Sequence, residues 1–356
     1  MQHFVNEVEG KLAWLTTGHH ALNSLPQKLP RHTPVMLAEV LSALACENGG
    51  IFIDGTFGAG GYTRGILASP EAQVIAIDRD PTAIAAGQAV VEEFKPRLQL
   101  IMGRFSDLAS LARDLGHEKV AGVVLDIGVS SMQLDEAERG FSFNRDGPLD
   151  MRMGQSGQSA RDVVNTFEAN ELANIIFIFG EEPRSRSIAR AIVKSRDEAP
   201  LQTTLDLVRA VEKATGPQRA KDRTHPATKT FQALRIYVNN ELAELATALH
   251  AAEDILEEGG RLVVVCFHSL EDRIVKRFFT SRAGRLPTAS RHLPESQIGP
   301  LPSFIQTEKS AIAASGAEAE LNPRSRSAKL RFGIRTSAPA QKMDLTSIGL
   351  PSLGRA

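Results

Sequence analysis

Residues 51–62 read Ile-Phe-Ile-Asp-Gly-Thr-Phe-Gly-Ala-Gly-Gly-Tyr. A short apolar run ends in a carboxylate, Asp54, and a glycine-rich turn follows at once through Gly55, Gly58, Gly60 and Gly61. A second β-like run, residues 73–77, ends in another carboxylate, Asp78. Strand, loop, helix and strand in this order form a unit that holds a nucleoside. Glycines carry no Cβ, so backbone can approach a ligand closely. Asp78, about 20 residues beyond the loop, is placed to accept both ribose hydroxyls.

A dinucleotide site wants Gly-x-Gly-x-x-Gly, with pyrophosphate against a helix N-terminus. Gly58 and Gly60 fit that pattern, but Thr63 stands at the third position. Asp54, expected at the mouth of the loop, would repel a pyrophosphate and suits a ligand with an ammonium and no phosphate. S-adenosylmethionine carries an ammonium, a sulfonium and a ribose. The plain alternative is a glycine-rich turn without a ligand.

Four β-like runs at about 51–54, 73–77, 98–102 and 121–127 alternate with helix-length segments. This rhythm predicts an α/β fold with a parallel sheet and right-handed crossovers. Residues 36–44 lead into the first strand as a helix. From Leu134 to Thr224 the rhythm stops, and helical patterns near 159–180, 184–196 and 203–215 read as an insertion. Residues 228–257 read as one helix returning to the sheet. Residues 261–267 form a buried strand behind Gly259-Gly260, and 328–335 alternate as a strand with one wet face. The tail beyond Thr336 reads as disordered.

The chain has 356 residues, 42% of them hydrophobic, enough for a sizeable core. No apolar run reaches the ~18 residues of a membrane span. The mixed charge near Glu7 and Glu9 does not suit a signal peptide. Cys46 and Cys266 lie far apart in apolar segments, as reduced core residues of a cytoplasmic protein, without metal-site spacing. Net charge is −1, but residues 184–235 hold 12 Lys/Arg against 5 Asp/Glu, and residues 273–335 hold 12 against 4. Two basic stretches on a neutral protein suit a polyanion bound on one face. Solvated helix faces are the plain alternative.

The fourth strand runs into Asp126-Ile-Gly-Val-Ser-Ser-Met-Gln133. Ligands of open α/β sheets bind at the carboxyl ends of the strands, so Asp126, Ser130, Ser131 and Gln133 reach the crevice of Gly60 and Asp78. Phe105, just past the third strand, is placed to line an adenine pocket or to pack in the core. Residues 139–153 interleave two aromatics with arginines around Asp146-Gly-Pro, as a flap over an unstacked base or as a packed loop. In Phe267-His-Ser-Leu-Glu-Asp-Arg, Ser269 with Asp272 reads as a capping box, and His268 as a base or, better, a structural histidine.

His32-Thr-Pro-Val-Met, the 54–62 loop, Ala76-Ile-Asp-Arg-Asp-Pro, Asp126-Ile-Gly-Val-Ser-Ser, Glu138-Arg-Gly-Phe-Ser-Phe, Asp146-Gly-Pro-Leu-Asp-Met-Arg-Met, His225-Pro-Ala-Thr, Phe267-His-Ser-Leu-Glu-Asp-Arg and Asn322-Pro-Arg-Ser-Arg-Ser follow in this order. Together they closely resemble the bacterial RsmH (MraW) family, over about 32–336. The resemblance implies a Rossmann-like S-adenosylmethionine-dependent methyltransferase sheet with an inserted helical domain. It implies N4-methylation of a cytidine in 16S ribosomal RNA of the small ribosomal subunit. The implied cofactor contacts are Gly60, Gly61, Tyr62, Asp78, Phe105, Asp126 and Gln133. Many members carry His where this chain has Tyr62, and Pro where it has Met132. The domains expected are an extension over 1–31, a methyltransferase domain of 32–133 and 225–336, a substrate-recognition insertion of 134–224, and a disordered tail of 337–356. No metal and no membrane is expected, and oligomeric state stays open.

A cytosine amine is a weak nucleophile, because its lone pair delocalises into the ring. It must be held in line with the methyl group and offered a proton acceptor. DNA amino-methyltransferases use an Asp/Asn/Ser-Pro-Pro-aromatic motif, which this chain lacks. Asp126 is the candidate substitute, with cofactor binding alone as its other role. The competing functions are a nicotinamide-dependent oxidoreductase and a non-catalytic RNA-binding assembly factor.

Overall fold

The computed structural model describes residues 34–154, 156–218, 224–284 and 300–353. The expected extension over 1–31, His32-Thr33, and parts of both basic stretches lie outside the described residues.

The chain enters through helix α1 (Leu37–Leu44) into strand β1 (Gly50–Asp54). Helix α2 (Gly61–Leu67), β2 (Ala72–Asp78), α3 (Pro81–Phe94), β3 (Leu98–Met102), α4 (Leu108–Asp114) and β4 (Val120–Asp126) follow. The expected four strands are thus present within a residue or two. Asp80 caps α3 by accepting from Thr82 N, with Pro81 in the first turn, where its missing N–H costs nothing.

Between β4 and the next strand the described residues form seven α-helices: α5 (Ser131–Asp135), α6 (Ala160–Thr166), α7 (Ala169–Gly180), α8 (Ser185–Glu198), α9 (Thr204–Thr215), α10 (Thr228–Asn239) and α11 (Glu241–Ile255). The single helix expected over 228–257 is two, broken where Asn240 takes a left-handed turn at φ 53°. A short asparagine tolerates that conformation better than most residues. Strand β5 (Leu256–Cys266), helix α12 (Ser269–Arg282), short strands β6 (Phe304–Ile305) and β7 (Ile312–Ala313), helix α13 (Gly316–Leu321) and strand β8 (Lys329–Arg335) complete the fold. Strand β5 starts at Leu256, so Gly259-Gly260 lies inside it, where the pairing with β4 slips register. Glycine in a strand commonly marks such an irregularity.

The sheet order is β3-β2-β1-β4-β5-β8-β6, with β7 also on β8. It is parallel from β3 to β5, and β8 runs antiparallel to β5. Successive strand residues serve opposite faces. Ile53, Val123, Leu125, Leu262 and Val264 join one buried cluster, which continues through the helices of 160–255. Phe52, Val124, Val263 and Val265 join the other, under α1 and α2. Cover on both faces explains why these strands read as continuous apolar runs.

Two expectations fail at the end of the chain. Strand β8 has no wet face: Arg331 and Arg335 are both only 6% exposed. Arg331 Nε donates to Asp272 Oδ1 (2.7 Å), and Arg335 donates to the carbonyls of Glu253, Ser303, Thr336 and Ala338. Alternating arginines signal water only when nothing neutralises them. The tail expected to be disordered is tied down at a few points within 337–353, although most of its residues are exposed. Ile348 is fully buried, Gln341 N donates to Glu253 Oε1 (3.2 Å), and the Lys342 carbonyl accepts from Arg282. Its composition hid a few anchoring contacts.

Candidate active site at the carboxyl ends of the strands

The 54–62 loop is built from below. Asp54 is fully buried; Thr63 Oγ1 donates to it at 2.7 Å and Thr56 N at 3.1 Å. Burial pushes its carboxyl up to about 6, against those two hydrogen bonds. Asp54 is therefore no charge at the loop mouth. It lies beneath the loop because Thr63, at the position of a dinucleotide site's third glycine, supplies a hydroxyl to hold it. Gly60 has φ 76°, and a Cβ there would meet the Phe57 ring at 2.9 Å. Gly58 has φ 52°, with nothing nearer than 3.8 Å to an added Cβ, so the crest of the loop is open backbone.

Asp78 ends β2 beside this crest. Its Oδ2 accepts from Gly58 N and its Oδ1 from Asp80 N, both at 2.8 Å. Burial raises its carboxyl above the ordinary value, and these N–H groups oppose that. Gln133 is 5% exposed, and its amide is committed: Nε2 donates to Asp80 Oδ2 (2.9 Å), and Oε1 accepts from Ser130 N in the capping box of α5. Asp80 also accepts from Arg139 Nη1 (2.7 Å), whose other nitrogen holds the carbonyls of Arg152 and Met153. Asp80 and Arg139 are thus the joint between the crevice and the 139–153 loop. An Asp-Pro pair is a helix-start signal that would have pointed to Asp80, but nothing in the sequence marks Arg139 as its partner.

Asp126 ends β4 next to the loop, its N–H donating to Thr56 Oγ1 at 2.8 Å. Part of the residue reaches solvent, but Oδ1 is enclosed with no hydrogen-bond partner among the described residues. Burial pushes its carboxyl up to about 8, and the charges of Asp54 and Glu271 add to that. Phe105 lies half-buried in a 3₁₀ turn after β3, packed on the core edge. Gly60, Gly61, Asp78, Phe105, Asp126 and Gln133 therefore gather at one end of the sheet. The Tyr62 side chain does not join them: it is 3% exposed and its hydroxyl donates to the Val35 carbonyl under α1. Only its backbone remains for the crevice.

Residues 139–153 form a packed strap. Phe141, Leu149, Met151 and Met153 are buried, and Phe143 packs at 4.8 Å from both Phe231 and His225. Asn239 pins the strap through Met153 N (2.8 Å) and the Met151 carbonyl (2.7 Å). Phe141 is buried and Phe143 half-buried against Phe231 and His225, the packed-loop alternative.

The capping box of α12 sits one residue earlier than the sequence suggests. His268 is the cap and Glu271 its partner, while the Ser269 hydroxyl donates to Glu181. Histidine is a rare cap, which is why the more usual serine drew the reading. Behind it, Arg235 grips Glu241 through two 2.8 Å bonds. Glu241, His268 and Glu271 bring ligand-type atoms within 4.8 Å of one another, and the positive charge beside them is the Arg235 guanidinium.

Residues 30–335 match the MraW methylase family. The chain belongs to that family. Among curated relatives, the Parvibaculum lavamentivorans protein named ribosomal RNA small subunit methyltransferase H is 59% identical, over 89% of this chain and 93% of its own. Relatives of the same name from Methylorubrum populi and Brucella anthropi are each 58% identical, over 87% and 91% of this chain and 88% and 92% of theirs.

Proposed function

We propose that this methylase transfers a methyl group from S-adenosylmethionine to the N4 amine of a cytidine in the 16S RNA of the small ribosomal subunit, in the cytoplasm. The observation that carries the reading is Asp126: an enclosed carboxylate oxygen with no hydrogen-bond partner among the described residues, beside an open glycine crest. The relatives' shared name supports the substrate class.

When bound, S-adenosylmethionine supplies an electrophilic methyl on a sulfonium. The residues fit it. Gly58, Gly60 and Gly61 offer backbone without a Cβ, and Asp78 keeps lone pairs beyond its two N–H bonds for ribose hydroxyls. Phe105 flanks the base, Tyr62 contributes backbone alone, and Gln133 acts by fixing Asp80. Asp126 orients the target amine and takes its proton. The helices of 134–224 serve RNA: Arg184, Arg186, Arg190 and Lys194 are all exposed on or beside α8. Among the described residues no helix is long and apolar enough to cross a membrane.

Labelled S-adenosylmethionine, incubated with small subunits from a strain lacking this gene, tests the reading. Label should enter 16S RNA and digest to N4-methylcytidine. Label at another atom, or in protein, would overturn it. Asp78→Ala should weaken cofactor binding about 10²-fold by calorimetry, since charge-assisted hydrogen bonds contribute ~1.5–3 kcal/mol each. Unchanged affinity would remove Asp78 from the site. Arg186→Ala with Arg190→Ala should lower RNA affinity and flatten its salt dependence by about one unit of slope per lost phosphate contact, with cofactor affinity unchanged. A loss of cofactor binding with RNA binding intact would move the RNA face elsewhere.

A further inference from the structure

The parallel strands end at the crevice in the order β3-β2-β1-β4-β5. Asp78 ends β2, the glycine crest follows β1, and Asp126 ends β4. A cofactor held by the crest and Asp78 takes the β1–β2 side of Asp126. The β5 side is left for the target base, and Phe267 is the first residue past β5. In the register of the two strands Asp126 stands opposite Val265, and the Ile127 N–H donates to the Val265 carbonyl (2.9 Å). Side chains of a strand alternate between its faces. Val124, Val263 and Val265 pack in the cluster under α1 and α2, and Phe267 packs on that same cluster. Asp126, two residues past Val124, therefore shares a face with Phe267, which lies one pleat further out on the neighbouring strand. Phe267 is half-buried, and its N–H donates to Glu271 Oε2 (2.8 Å), which fixes the turn that carries the ring. Gly128 follows Asp126 on the same side, with φ 128°, a backbone that residues with a Cβ rarely adopt. A Cβ there would meet the Phe267 ring at 3.5 Å and, its chain neighbours aside, no other atom of the described residues within 4 Å. The ring thus borders open space beside Asp126.

We propose that Phe267 is the stacking platform for the target base, its ring holding the cytosine beside Asp126 for methyl transfer. This rests on the N4-methylation reading. The base has to leave its RNA stack to be reached, and an aromatic ring returns part of the stacking that is lost. The motif of DNA amino-methyltransferases joins acceptor and aromatic in one segment. Here the acceptor ends β4 and the ring comes from the neighbouring strand. Every base has a π-face, so the ring supplies position, and selection of the amine is left to Asp126. The other aromatics raised for a nucleoside or a base lie elsewhere. Phe105 follows β3, with β2 and β1 between it and Asp126, and Phe143 is packed against Phe231 and His225.

The test compares Phe267→Leu, which stays apolar without a π-face, with Phe267→Tyr, which keeps the ring. Single-turnover methylation of small subunits from a strain lacking this gene is measured with subunits and S-adenosylmethionine both saturating. Leucine should lower the maximal rate about tenfold or more, because fewer bound complexes hold the base in place, and tyrosine should keep it within about threefold. Affinity for the subunit, carried by phosphate contacts, should not change. Cofactor affinity, followed by calorimetry, should not change either. An undiminished rate with leucine, an equal loss with tyrosine, or a parallel loss of cofactor affinity overturns the proposal and leaves Phe267 a packing residue. Should Phe267→Leu fail to fold, the natural chain decides by photocrosslinking. Small subunits reconstituted with 16S RNA containing 5-iodocytidine, bound together with S-adenosylhomocysteine and irradiated, should join the target nucleotide to Phe267. A link from that nucleotide to another residue, or no link, overturns the proposal. Failure of the N4 reading shows in the natural chain, as a methyl group on another atom, whereas failure of the stacking shows only in the variants or the crosslink.

Discussion

Asp126→Asn should slow single-turnover methyl transfer by about 10²–10⁴-fold at saturating S-adenosylmethionine, the usual range for a positioned proton acceptor. Asparagine keeps the shape and cannot take the proton. An interaction made mainly in the transition state shows in rate rather than in ground-state affinity. If Asp126 contacts only the cofactor, saturating cofactor restores turnover and the catalytic role is gone. The same substitution should make the cofactor-free protein more stable at alkaline pH. The native carboxyl is pushed from 3.8 to about 8, so the folded chain keeps a proton that the unfolded chain has shed. Stability therefore falls as pH rises from about 4 to about 8, and asparagine escapes that loss. Urea unfolding at pH 5 and pH 8.5 should show the mutant's advantage growing with pH. A constant or shrinking difference would mean that Asp126 is not strained in its charged form.

Glu253→Ala should cost about 3–5 kcal/mol, because it leaves a buried guanidinium without its partner. Glu253 is fully buried and accepts from Arg282 Nε (2.9 Å), Ser303 Oγ and Gln341 N. Arg282 is itself only 2% exposed. The residue thus joins the end of α11 to α12, to the segment before β6 and to the tail. Denaturant unfolding measures the loss. Limited proteolysis should also open residues 337–353 to cleavage before the rest of the chain. A mutant that unfolds at the natural denaturant concentration would show the cluster to be energetically neutral.

The sheet was legible because the parallel strands are largely apolar and three of them end in a chemical signal, Asp54, Asp78 or Asp126. The crevice was legible for the same reason. What the sequence concealed depends on pairing between distant residues. Asp54 reads as an exposed charge until Thr63 is seen to hold it from beneath. Arg331 and Arg335 read as a wet strand face until Asp272 and the Glu253 carbonyl are found against them. Tyr62 lies next to two site glycines in sequence, yet it turns away, since a helix's first turn sends successive side chains in different directions. Arg235 and Glu241 carry no local motif, and only the fold brings them to Glu271.

The position of β8 sets the order in which this chain can be finished. Strand β5 forms at residues 256–266, but its outer edge stays bare until residues 329–335 have been synthesised and inserted antiparallel beside it. The Glu253 carboxylate waits longer, for Gln341. Near the other end, Met36 N waits for Glu318, 282 residues away. During translation the nascent chain thus carries an apolar open edge, Leu262-Val-Val-Val-Cys266, for as long as it takes to make some 60 further residues. Unpaired edges recruit other strands, and contacts so distant in sequence form slowly. The vulnerable stage of this protein's life is its own synthesis, with β5 as the segment to be shielded.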